Sequence, residues 1–168
     1  VSLDYSKYFQ SKWHHGQPIT MADVVYSIYQ SFDLAFDQDK SRVEFALAVT
    51  SRPFLETVRG LRIVGENHLE VYVDYWHFVE DYIAEYASIS GLSMPWEILA
   101  AMDKLVFEDR RAAYSDTAAQ RFSVPWINLV MDNDTRLLKR SLLQMKDQGR
   151  YSANVFQIGG NSLVTPEE

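Results

Sequence analysis

The chain contains no cysteine. That excludes a disulfide framework and any zinc site built on thiolates. No apolar stretch approaches the roughly 18 residues that a membrane-spanning helix needs. No basic run is present, and the formal net charge is −7. This balance argues against nucleic acid as a partner, because binding a phosphate backbone requires a basic face. Phosphate-cradling motifs are missing as well. Neither Gly-x-Gly-x-x-Gly nor a P-loop Lys occurs, and Gly159-Gly160-Asn161 is too short for such a loop and reads as a turn. Ser115-Asp116-Thr117 lacks a Gly-x-Ser-x-Gly elbow and reads as a cap and first helical turn. No pair of acidic residues stands out as a glycosidase acid and nucleophile. There is no internal repeat, no low-complexity run and no long linker. The expectation is a protein that is not an enzyme and that uses no cofactor.

The composition that remains is that of a folded chain. Its 168 residues suit one domain of ordinary size. Apolar residues make up 47% and charged residues 23%, which separates it from disordered sequences. Aromatics reach 14%. They suit a bulky core, or a surface that stacks on a ligand.

The most organised stretch runs from Lys12 to Ser27. It reads as a short extended segment, a tight turn and a capped amphipathic helix. His15-Gly16 and Gln17-Pro18 supply the turn, since Gly tolerates positive φ and Pro fixes φ near −65°. Thr20 is the expected N-cap, with Asp23 three residues on to complete a capping box. Val24, Val25, Ile28, Tyr29, Phe32, Ala35 and Phe36 then follow the spacing of a one-sided helix that ends near Phe36.

The order Lys12-Trp13-His14-His15-Gly16-Gln17-Pro18-Ile19-Thr20-Met21-Ala22-Asp23-Val24 resembles a motif of the family 5 extracellular solute-binding proteins. These are the ligand-capturing components of ABC importers for peptides, nickel and some sugars. His15 departs from the pattern, which often has Asp there. The resemblance implies a two-lobed, periplasmic-binding-protein-like fold, of which this chain would be part of the larger lobe. A hairpin after the helix is a second shared feature. It implies an extracytoplasmic location, periplasmic or cell-surface, a small solute such as a peptide as ligand, and an ABC permease as partner.

Both ends read as cut. The chain starts with Val1, and Thr165-Pro166-Glu167-Glu168 has the composition of a helix start. Residues 1–168 are thus expected to be one domain or a fragment of a larger lobe, with 150–168 a loosely ordered tail. Residues 1–11 read as a loop or short helical turn. Asp37–Ser41 is a polar connection. Val43–Val49 is an apolar patch, helical or irregular, broken by Ser51-Arg52-Pro53. Leu61–Val64 and Leu69–Val73 alternate around Gly65-Glu66-Asn67-His68, which predicts a β-hairpin. Helical spacing recurs at Phe78–Tyr86. Another helix opens at Pro95 with Ser93 as cap, Ala112–Phe122 reads as a further helix, and Asp132 caps one running to about Gln148 and stopped by Gly149. The fold class is α+β, about five helices around a small antiparallel unit.

Candidate chemistry is sparse. His14 and His15 are adjacent on an extended segment, so they point to opposite faces and do not chelate one ion. His14 is expected to hydrogen-bond at the turn, and His68 to lie exposed in the hairpin. Asp74, His77 and Asp81 could form a His/carboxylate cluster, or simply be polar residues at a helix start. No metal is expected. Tyr75, Trp76, Trp96 and Trp126 lie at element boundaries, where a side chain can face a cleft, and are the candidate ligand-binding residues. Core or lobe packing is the competing role for each Trp. The functional expectation is non-enzymatic solute binding. The alternatives are a standalone protein-interaction domain and an unrecognised hydrolase.

Overall fold

The helix predicted after the turn is the pivot of the fold. A computed structural model describes residues 1–149 and, beyond them, the backbone of 157–158 and 161–162. In chain order it contains β1 (Ser2–Asp4), α1 (Ser6–Phe9), α2 (Met21–Phe36), α3 (Gln38–Val43), α4 (Phe45–Leu55), β2 (Val58–Val64) and β3 (His68–Val73). There follow α5 (Glu80–Ala87), α6 (Trp96–Asp103), a π-helical turn (Lys104–Glu108), α7 (Asp116–Phe122) and α8 (Asp132–Asp147). The class is α+β, as expected, with eight helices among the described residues where about five were predicted.

The sheet is antiparallel, in the order β1-β3-β2. The predicted hairpin forms, with Leu61 opposite Val71 and Ile63 opposite Leu69, but His68 belongs to β3 and pairs with Val64, so the turn is shorter than the Gly65–His68 expected. Residues 2–4 form a strand, β1, where the sequence predicts a loop or helical turn. Its three residues are too few for a visible alternation, and it forms only because Leu3 finds Leu69 across β3. Leu69 and Val71 point from the central strand into a core with Met21, Val24 and Ile28 of α2.

The structure corrects the one-sided reading of α2. Ala22 and Tyr26, on another face, pack against Trp96, Leu99 and Ala100 of α6. Helix α2 is therefore sandwiched between the sheet and α6, while Phe36 at its end is exposed. The second buried face is made of Ala22 and Tyr26, and a small residue and a hydroxyl-bearing ring do not by themselves mark a face as buried.

Other expectations shift for identifiable reasons. Asp37–Ser41 is not a plain connection: the Asp37 carboxylate accepts from the Asp39 and Lys40 amides, both at 2.9 Å, and starts α3. Pro53 does not break the apolar patch, because it sits in the last turn of α4, where its missing N–H costs one bond. Ala112–Phe122 is helical only from Asp116. Ala112 and Ala113 are buried and extended, and Ala113 bridges in parallel to Trp126. Ser93 does not cap α6; Pro95 holds the N-cap position. Helix α8 starts with Asp132 after an N-cap at Met131. Near the end of the chain, Gln157–Ile158 pairs with Asn161–Ser162. The remainder of the predicted loose tail, including Gly159-Gly160 and the helix start at Thr165, lies outside the described residues.

Candidate functional site

The turn of the Lys12–Val24 block is closed by backbone bonds from Trp13 N–H to Gln17 O and from Gly16 N–H to Trp13 O, both 2.8 Å. Gly16 takes φ +98°, which a side chain would disfavour. Among the described residues His14 does not make the expected side-chain hydrogen bond. It is His15 whose Nε2 meets Gln17 Oε1, at 2.5 Å. Asp23 is the organising side chain. It is buried, and its Oδ2 accepts from the Thr20 amide at 2.8 Å, forming the acidic half of the capping box. Its Oδ1 accepts from the Trp96 amide at 2.9 Å. One carboxylate thus caps the first turns of two helices 73 residues apart in sequence.

A second buried carboxylate lies at the far end of α6. Asp103 Oδ1 accepts from Gln30 Nε2 at 2.8 Å and the Tyr114 hydroxyl at 2.7 Å, and Oδ2 accepts from the Tyr26 hydroxyl at 2.8 Å. Burial raises the Asp103 pKa despite these donors. Burial and the adjacent carboxylate push both phenols up, so Tyr26 and Tyr114 remain donors. Glu44, fully buried, accepts from the Tyr114 amide at 2.7 Å and the Ser115 hydroxyl at 2.6 Å. The Ser115 oxygen also accepts from the Ala118 amide, as the N-cap of α7. Ser115 is therefore committed to capping, with a carboxylate and no imidazole beside it.

The four aromatic candidates fall in separate places. Tyr75 stacks on Tyr86, ring centroids 3.9 Å apart, and Tyr86 meets Phe54 edge-on. Trp76 is 78% exposed. Trp96 is 7% exposed and lies in the α2–α6 core, which removes it from any open surface. Trp126 is 58% exposed and its indole donates to the Tyr114 carbonyl at 2.9 Å. The Asp74–His77–Asp81 cluster does not assemble: Asp74 pairs with Arg59 at 2.8 Å, and His77 Nδ1 accepts from the Val79 amide at 3.0 Å. Among the described residues no group of three His, Asp or Glu side chains is placed to hold a metal ion. No described helix is long and apolar enough to cross a membrane.

No protein-family model and no curated protein matches this chain. Two of its surfaces are well defined. One is an exposed aromatic stretch after β3, where Trp76 and Phe78, each 78% exposed, are followed by the exposed Tyr82. His77 is stacked on Phe78 at 4.4 Å and edge-on to Tyr82 at 4.7 Å. The other is a cleft of about 450 Å³ among α3, α7 and the loop after the π-helical turn, lined by Arg42, Arg110 and Arg121. Sequence reasoning found the first surface through Trp76. It missed the second because the three arginines are dispersed and no local pattern links them.

Proposed function

We propose that this chain is part of an extracytoplasmic solute-binding protein of the oligopeptide or dipeptide type, serving an ABC importer. The observation that carries the reading is the Lys12–Val24 block, which resembles the family 5 motif in residue order. The use of Asp23 supports it: that residue belongs to the motif and fastens α2 to α6 through backbone amides. In this reading a peptide or related polar solute is captured between two lobes of the parent protein, and closure desolvates it. The loaded protein then docks on the membrane permease. Trp76, Phe78 and Tyr82 pack against the remainder of the parent or line its cleft. No covalent step is involved.

The test is to express the whole reading frame around Val1–Glu168 and measure its melting temperature with di-, tri- and oligopeptides. A peptide at about a hundredfold excess over its Kd adds about 2.7 kcal/mol of stability. The expected result is a rise in Tm of several degrees with the peptide recovered intact. Absence of a shift with every peptide, in a frame without an export signal, would overturn the reading.

One observation favours a second reading, a standalone protein-interaction domain. An exposed Trp, Phe and Tyr in one short stretch form the kind of aromatic anchor on which interface energy concentrates. Tight binding of the 168-residue chain to a protein, with no small-molecule response, would select it.

A further inference from the structure

The arginine-lined cleft has a charge balance opposite to that of the chain as a whole. Three arginines border it, and the acidic residue among its lining residues is Asp39. Asp39 is already near one of them, with its Oδ1 4.0 Å from Arg42 Nη1. This locally cationic spot lies on a protein of net charge −7.

The three arginines are held differently. Arg121 is fixed from both sides, since its Nη1 donates to the Arg42 carbonyl at 3.0 Å and its guanidinium lies 4.9 Å over the Phe122 ring. That bond ties α7 to the end of α3 and sets one wall of the cleft. Arg110 is placed by a left-handed backbone, φ +54°, an uncommon conformation for a residue with a side chain. Its guanidinium makes no ion pair or hydrogen bond with the described residues. Apolar side chains, notably Phe122 and Val106, complete the lining. Guanidinium forks match the oxygens of carboxylates and phosphates, and a volume of about 450 Å³ lies within the range of small-molecule sites.

We propose that the cleft bordered by Arg42, Arg110 and Arg121 binds a small organic oxyanion, with a carboxylate or phosphate-ester head on the arginines and an apolar body on Phe122. The site lies wholly within the described residues, so its test is independent of the importer reading.

The experiment is calorimetric titration of the 168-residue chain with four probes: phenyl phosphate, benzoate, inorganic phosphate and neutral benzyl alcohol. Phenyl phosphate or benzoate is expected to bind and benzyl alcohol not to bind; the tighter of the two anions identifies the head group. Inorganic phosphate is expected to bind more weakly than phenyl phosphate, because it lacks the apolar body. Arg110→Gln should weaken the organic anion about tenfold, the loss expected for one charge-assisted contact. Arg42→Gln is the second variant, should the backbone at 110 not tolerate change. Circular dichroism should show both variants folded. Equal binding of benzyl alcohol, affinity unchanged in both variants, or no binding of either organic anion at millimolar concentration would each overturn the proposal.

Discussion

Asp103 shows how a single buried carboxylate can hold a core together and also make it sensitive to pH. It collects three donors from α2 and from the segment before α7, yet desolvation still raises its pKa. A carboxyl whose pKa is raised on folding binds its proton more tightly in the native state than in the unfolded one. Its contribution is therefore fully present below the unfolded pKa and is lost as pH rises through the higher folded value. Glu97, half-buried beside the turn, is shifted the same way by burial. The contribution of these two groups to stability should decline from about pH 4 upward across the range in which they ionise. In Asp103→Asn the amide oxygen keeps the donors from Gln30 and Tyr114, and the Asp103 share of that decline should disappear. Urea unfolding at a series of pH values in both proteins measures the difference. Parallel curves for the two proteins would show that Asp103 is not linked to folding.

At the scale of elements, Asp23 is the joint between α2 and α6. A capping residue ordinarily serves one helix and contributes about 1 kcal/mol. Here one carboxylate serves the Thr20 amide within its own helix start and the Trp96 amide of another. Asp23→Ala leaves both amides without that partner in a buried setting, and the expected loss is about 2–4 kcal/mol. Asp23→Asn retains one good acceptor and should lose less. Thermal or urea denaturation of the pair checks the order. The capping half of this role was legible in the sequence, because Thr20 and Asp23 stand three apart before an apolar run. The second half was not, since nothing in residues 20–23 points to an amide 73 positions away. The same contrast runs through the rest of the fold. The hairpin was readable from period-two alternation around Gly65, whereas α3 and β1 were not. The former depends on polar caps and the latter on a partner strand.

At the scale of the whole molecule, the acidic chain leaves a cluster of large aromatics in solvent. Trp76 and Phe78 contribute little to the described core, so replacing both with Ser should change the unfolding free energy by about 0.5 kcal/mol or less. The same change should reduce self-association of the isolated chain in sedimentation measurements, because it removes an exposed apolar patch. A large drop in Tm would instead mean that these rings pack internally. The candidate list taken from element boundaries located this surface through Trp76. It also included Trp96, which belongs to the core, because a residue at a helix start reads alike whether a neighbouring helix or solvent faces it.

The sequence by itself determined the α+β class, the turn and cap of α2, the presence of the hairpin, and the long α8. Each depends on interactions reaching no further than a turn of helix or the next strand. Tertiary structure alone decided that α2 is buried on two faces, that Asp23 joins two helices, and that Asp103 gathers Tyr26, Gln30 and Tyr114. It also decided that Arg42, Arg110 and Arg121 share one cleft. These features need groups distant in sequence to meet, and neither residue spacing nor local propensity encodes which of the many possible meetings packing selects.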